Sequence, residues 1–443
     1  MLRGKFVVAS AAALSFAGSF ANCALAQAIG NPAAEYPTRF TVAPNVSSLV
    51  VIKVLPKGTC VLHAEGSTDP QQSLRLFADD DGFVRFYVKP QQESDQLSQF
   101  QIDCEAEGTS RQFPLQLRSS SSPTPDMPSP SSQPLLPAAG AQIRPALSLD
   151  DANNLPTEEL LRRGYPPRPD SNQAPQTFAT WSKAVTKPAR LVPPRLVPNP
   201  GVTHTKAQVR AAPEAPSSNW SGYVLQGLPQ SFNNVWGDWQ VPAVVDLFEP
   251  GTWTFSALWI GLDGQNKNED LVQEGTEQDA LEICFLGCFN ITVYYAWTEV
   301  LPQQQNEQVI GSMHVQPGDE MFAMAGMSNG TEASLVIENI SQSEYTLVKF
   351  QTQPGQVIGH TAEWIMERPL INGSVLPDLA DYGFAVMTSA VACDANGSCS
   401  PYSFPYGNGI TSQQLWMYNG NDLLSWASAV SEYDIAFYWI RNN

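Results

Sequence analysis

The chain has 443 residues and a formal net charge of −19 at pH 7, with 24 Lys and Arg against 43 Asp and Glu. That balance excludes nucleic acid and anionic membrane as partners, since both call for a basic face. The length allows two or three domains, each able to bury a core of its own.

Residues 1–28 carry Arg3 and Lys5, an apolar run from Phe6 to about Ala21, and then A-L-A-Q-A. This is the make-up of a secretory leader cleaved after Ala26 or Ala28. The mature chain is therefore expected to be secreted, extracellular or periplasmic. No later run approaches the ~18 apolar residues of a membrane span. Cys23 leaves with the leader, and Cys60, Cys104, Cys284, Cys288, Cys393 and Cys399 remain. An exported protein meets an oxidising compartment, so disulfides are the default. The sequence leaves the connectivity open; pairing between neighbours, Cys60 with Cys104, Cys284 with Cys288 and Cys393 with Cys399, is favoured because each pair lies within one local segment. A zinc site would need C-x-x-C or His at ligand spacing, and the chain has neither, so no metal and no other cofactor is expected.

Residues 29–118 read as a small antiparallel β-sandwich. Short alternating runs at Leu49–Val54, Cys60–Ala64, Leu74–Phe77, Val84–Val88 and Phe113–Leu117 are separated by Pro, Gly and Asp clusters. Nothing in this unit looks catalytic, which suits a folding, docking or binding module. Residues 119–146 collapse into Ser, Pro and Ala, the composition of an extended linker. Residues 147–216 show one helix near Pro156–Arg163, a second around Thr177–Val185, and then Pro-rich coil. Between Ser171 and Pro213 stand six basic residues, Lys183, Lys187, Arg190, Arg195, Lys206 and Arg210, and no acid. Residues 217–443 hold four Lys and Arg against 25 Asp and Glu. A basic stretch directly before so acidic a domain suggests a charge-matched intramolecular partner, a propeptide; an ordinary linker with an accidental bias is the plainer alternative.

The main domain, 217–443, is rich in Trp, Tyr, Phe, Val and Thr. Runs at Ser256–Ile260, Ile291–Trp297, Glu320–Met327, Ala333–Asn339 and Tyr345–Thr352 alternate, and no long 3.6-period helix competes with them. An all-β fold of two antiparallel sheets follows, a jelly-roll sandwich of the concanavalin type. Lys349 is expected to face solvent. Within Thr361–Pro369, T-A-E-W-I-M-E-R-P, Ala362, Trp364 and Met366 fall on one face and Glu363, Ile365 and Glu367 on the other. Carboxylates are depleted in strands and costly to bury without a partner. By pattern alone this is a solvent-facing strand with a salt bridge.

Five stretches in order change that weighting: N-W-S-G-Y (Asn219–Tyr223), A-L-W-I-G-L-D-G (Ala257–Gly264), L-V-Q-E-G (Leu271–Gly275), Y-A-W-T-E (Tyr295–Glu299) and A-E-W-I-M-E (Ala362–Glu367). Together with V-L-P-D-L-A-D-Y-G-F (Val375–Phe384) they resemble the glutamic peptidases, the eqolisin or G1 family, in its bacterial form. The resemblance implies a secreted, acid-active endopeptidase whose Gln and Glu dyad lies on the concave face of a two-sheet sandwich; with the charge-matched segment before it, the chain would be a zymogen. By position the catalytic residues would be Gln273 and Glu367. A carboxylate can take a proton from water and return one to the leaving amine, and a carboxamide N–H can donate to an oxyanion. Trp259, Asp263, Trp297 and Glu299 match cleft positions that bind substrate or orient the dyad, although the tryptophans also suit plain packing and Asp263 a D-G turn. Tyr295 stands where an Asp usually precedes Ala-Trp, and Arg368 and Pro369 where Asp-Phe is common. Protein or peptide substrates and a monomeric enzyme are implied.

Other chemistries fit less well. A serine triad needs a His, and this domain offers His314 and His360 without a G-x-S-x-G elbow. A glycosidase would pair two carboxylates, but Glu363 and Glu367 lie roughly 13 Å apart along a strand, too far for either hydrolytic geometry. Glu299 with Glu367 stays open on spacing. A carbohydrate-binding, lectin-like sandwich is the alternative from another class, and acid proteolysis in the presence of pepstatin separates it from a peptidase.

Overall fold

The structure is a computed structural model that describes residues 24–25, 27–28, 39–42, 45, 47–65, 73–80, 82–120, 142–192, 196–199, 202–205, 214–245, 251–265, 270–284, 288–328, 331–352, 357–403 and 409–443. Most of the expected leader and the Ser/Pro-rich linker lie outside them. So do Arg195, Lys206, Arg210 and the side chain of Cys284.

The main domain is all β. Its front sheet runs, in spatial order, Asp422–Ala429, Thr411–Asn419, Trp220–Gln226, Thr361–Glu367, Trp253–Leu262, Leu271–Cys284 and Cys288–Leu301, each antiparallel to the next. The back sheet runs Glu344–Gln351, Glu332–Asn339, Glu320–Ser328, Asn234–Gln240, Phe384–Cys393 and Ile435–Trp439. Its last strand also pairs with Asp422–Ala429, so the two sheets join at one edge. The period-2 alternation sends one face of each front strand inward. Leu258, Ile260, Trp364 and Met366 meet Val235, Trp239, Met321 and Ala323 of the back sheet in a dry core. Two indoles tie the layers together: Trp364 Nε1 donates to the Trp236 carbonyl at 2.7 Å and Trp239 Nε1 to Thr276 Oγ1 at 3.0 Å.

The expected strands are present and mostly longer, as in Trp253–Leu262 and Cys288–Leu301. The solvent-facing reading of Thr361–Glu367 is corrected: all seven residues are buried, because the strand lies mid-sheet and both of its faces are covered. Lys349 is exposed and pairs with Glu332 at 2.9 Å.

The N-terminal unit adds a sheet of Gln27–Ala28, Arg39–Val42, Thr109–Ser119, Ser94–Ala106, Thr59–Ala64 and Ser73–Phe77, closed by the Cys60–Cys104 disulfide. A second disulfide joins Cys393 and Cys399. Cys288 is also disulfide-bonded, and its cross-strand neighbour is Cys284. The unit is not a separate bead on a linker. Its strands Ser48–Lys53 and Phe83–Pro90 extend the front sheet, with Val88 opposite Ile291 and Tyr87 opposite Thr292. The two cores merge over the face of the front sheet that points away from the back sheet, where Phe100 meets Phe289 edge-on and Phe77 meets Tyr295.

The segment between the units wraps the sandwich. Helices Leu149–Asn154, Thr157–Arg162 and Pro175–Val185 cover the outer face of the back sheet. The first was not legible as a helix; it starts where Ser148 Oγ caps the Asp151 N–H at 3.0 Å and acids occupy the first turn. Arg144, fully buried, donates to Glu338 at 2.7 Å and to the Ala184 carbonyl. Lys183 pairs with Glu320 and Arg190 with Glu344, so these charges lie on back-sheet strands. The chain then crosses to the front. Leu196–Pro198 runs antiparallel to Gln308–Ile310 and Val202–Thr203 to Leu370–Ile371.

Candidate active site

The registers of the front sheet assemble the face that points away from the back sheet. Gln273 stands opposite Gly261 on one side and Glu299 on the other, and Gly275 stands between Trp259 and Trp297. Ala257 and Trp220 both lie opposite Glu367. Residues two apart on a strand share a face, so Gln273, Glu277, Trp297, Glu299, Trp259 and Glu367 converge, all with 0% exposure. Gly275 makes this possible. A Cβ there would lie 2.4 Å from the Leu258 carbonyl oxygen and 2.5 Å from the Trp259 Cβ.

Glu367 is held from four directions. Its Oε2 accepts from Trp259 Nε1 at 2.8 Å and lies 3.1 Å from His204 Nδ1. Its Oε1 accepts from Asn219 Nδ2 and from the Thr205 N–H, both at 3.2 Å. Gln273 Nε2 donates to Glu299 Oε2 at 3.1 Å, which fixes the plane of the amide. The same Glu299 oxygen accepts the His204 N–H at 3.1 Å.

His204 is the centre of the polar cluster. It is wholly buried, stacks on Trp297 at 3.6 Å with the planes 11° apart, and places Nε2 3.0 Å from Glu307 Oε2 and 3.9 Å from Glu277 Oε2. Burial pulls its basicity down, but the hydrogen bonds to Glu307 and Glu367 outweigh burial and hold the ring charged up to about 10. Glu307 in turn accepts from Asn199 Nδ2 at 2.6 Å and from the Tyr295 hydroxyl at 2.8 Å. Burial, reinforced by Asp279 and Glu307, pushes the Glu277 carboxyl well above the usual range, and burial does the same to Asp279. Burial also raises Glu299, with the His204 charge opposing it. His204, Glu277 and Glu307 bring ligand-type atoms within 4.8 Å of one another. Both ring nitrogens face carboxylate oxygens at hydrogen-bond distance, so the imidazolium is itself the cation of this group.

The structure thus brings together Gln273, Glu299, Glu367, Trp259 and Trp297. Asp263 does something else: at φ 63° it accepts the N–H groups of Ile358, Gly359, His360 and Thr361, clamping the loop that leads into the Glu367 strand. The sequence reading missed Asn219, His204 and Glu307. Asn219 sits in N-W-S-G-Y and could have been named from that motif. His204, in T-H-T between Pro-rich stretches, and Glu307, in Q-N-E-Q, carry no pattern that marks them.

The two-sheet sandwich thus carries a carboxamide, Gln273, and a carboxylate, Glu367, on one buried face of its front sheet. Residues 218–415 match the model of the Peptidase A4 family, and this part of the chain is a glutamic-type peptidase domain. Among solved structures, scytalido-glutamic peptidase with a peptide-based transition-state analogue is 20% identical, with 50% of this chain and 98% of that chain covered and a TM-score of 0.40. SCP-B, an eqolisin in complex with the tripeptide Ala-Ile-His, is 20% identical over 50% and 98%, with a TM-score of 0.38. Aspergilloglutamic peptidase from Aspergillus niger is 21% identical over 42% and 99%, with a TM-score of 0.34. No curated protein matches the chain.

Proposed function

We propose that the chain is an exported, acid-active endopeptidase in which Glu367 and Gln273 form the catalytic dyad. Glu367 takes a proton from water as its oxygen bonds to the scissile carbonyl carbon. It returns that proton to the amide nitrogen as the C–N bond breaks, so no covalent enzyme intermediate is needed. Gln273 donates one N–H of its amide to the oxyanion while Glu299 holds the other, a contribution of about 3 kcal/mol to the barrier. Trp259 and Asn219 position the carboxylate.

The observation that carries this reading is the fixation of Glu367 on the buried face of the front sheet by Trp259 and Asn219, beside an amide oriented by Glu299. Residues 196–199 and 202–205 lie along this face, with the His204 and Thr205 N–H groups on Glu299 and Glu367. This supports a latent precursor whose own segment excludes protein substrates. Acid lowers the net negative charge of the domain while Lys and Arg keep theirs, which weakens the attraction between the basic stretch and the domain.

The test is digestion of denatured protein at acid pH, with pepstatin present, by full chain pre-incubated in acid. Glu367→Gln and Gln273→Ala should each lose at least about a hundredfold in kcat with the fold retained. Near-wild-type turnover by either folded variant would overturn the dyad.

A further inference from the structure

His204 fills a pocket rather than a gap. Its floor is the Trp297 indole, one wall is Glu307 with Glu277 behind it, the other is Glu367, and Asp279 and Glu299 lie close by. Among the described residues, no Lys or Arg is within hydrogen-bond or ion-pair distance of His204. Such a set of buried carboxylates is costly to keep dry without a cation among them. The pocket also selects shape. The flat face of Trp297 accepts a planar group, and the two carboxylates, one beside each ring nitrogen, match the two N–H donors of an imidazolium. A Lys ammonium offers a single point charge, and an Arg guanidinium presents its donors on one fork rather than at two opposite edges. Within the same wall, Trp297 Nε1 and Glu299 Oε1 are buried without a partner among the described residues, so the site has polar capacity that His204 leaves unused.

The backbone sets the register. The amide nitrogen after His204, that of Thr205, lies 3.2 Å from Glu367 Oε1. This is the reach at which the general acid must meet a leaving nitrogen.

We propose that His204 occupies a substrate pocket of the enzyme, built by Trp297, Glu307 and Glu277 beside Glu367, which takes a histidine immediately before the bond to be cut. The inference rests on the peptidase reading above. The segment then lies where a substrate would lie, with the Nε2 edge of its imidazole on Glu307. Glu307 is the residue that sets the preference, through the Nε2 edge of the ring.

Two measurements on the full chain test this. In His204→Ala, free imidazole at millimolar concentration should raise the melting temperature by a few degrees, and in His204→Ala/Glu307→Gln it should not. His204→Asn serves the same purpose if the Ala variant does not fold. In the second, the acid-incubated full chain cleaves a mixed peptide library. Histidine should be enriched several-fold at the position before the cut, and Glu307→Gln should flatten that enrichment while cleavage continues. Equal response of both variants to imidazole, or cleavage without histidine enrichment at that position, would overturn the pocket. If folded protein cuts no peptide at all, the peptidase reading fails instead, and the imidazole measurement still decides what the pocket binds.

Discussion

Glu367 is within hydrogen-bond reach of an indole, a carboxamide, an imidazole and a backbone N–H, drawn from Trp259, Asn219, His204 and Thr205. Two of these come from the peptidase domain and stay when the segment leaves. The Trp259 bond is the shorter, and hydrogen bonds to charged groups contribute about 1.5–3 kcal/mol. Trp259→Phe should therefore lower kcat about tenfold or more with KM little changed, and should add no further loss in a Glu367→Gln background. A full additive loss there would mean that the indole acts by packing alone. The residue scale is also where the sequence spoke most unevenly. Gln273, Glu299 and Glu367 stood in alternating strands whose register could be read as a face. His204 reached them only because a Pro-rich stretch without periodicity was laid across that face by pairing with Gln308–Ile310 and Leu370–Ile371.

Among the elements, the three helices of 149–185 decide where the groove-filling stretch begins, and Arg144 anchors them. Its guanidinium lies over the Tyr165 and Tyr345 rings at 5.2 and 4.3 Å and pairs with buried Glu338. Arg144→Met leaves that carboxylate buried without a counterion, so a loss of about 3–5 kcal/mol is expected in urea unfolding. Arg144→Met/Glu338→Leu should recover much of it. A single variant as stable as the wild type would show that the pair is idle. Two of the helices were legible in the sequence; Leu149–Asn154, which starts at the Ser148 cap, was not. The docking of the N-terminal strand Phe83–Pro90 along Phe289–Thr292 was not legible at all, because edge-strand pairing depends on which free edge a folded neighbour presents, and no residue pattern in Val84–Val88 names its partner.

For the whole molecule the question is how so many buried acids respond to pH. Burial raises Glu274, Glu277, Asp279 and Glu299 above their ordinary values, so the native state holds protons that the unfolded chain releases. Their contribution to stability is complete below the unfolded carboxylate pKa and is lost as pH rises through the raised values. His204, held up to about 10, contributes below its unfolded value of 6.5 and loses that contribution as pH climbs through the folded one. Asp79 and Glu344, held low by His314 and nearby Arg side chains despite their burial, act in the opposite sense. The raised groups outnumber them. The melting temperature should fall from about pH 4 to about pH 8 and further towards pH 10, and a steady climb over that range would contradict this account.

The groove occupant is fastened upstream by Arg144 and the back-sheet helices, and downstream by Glu214–Ser217, which pairs in parallel with Gln414–Met417. A plug tied at both ends competes with substrate at an effective concentration fixed by its tethers, independent of how dilute the protein becomes. One cut anywhere in 206–213 would leave it attached on the upstream side and still able to return. Dilution alone should therefore never switch such a protein on, and the delay before activity appears should be the same at any protein concentration if the first cut is made within the same molecule.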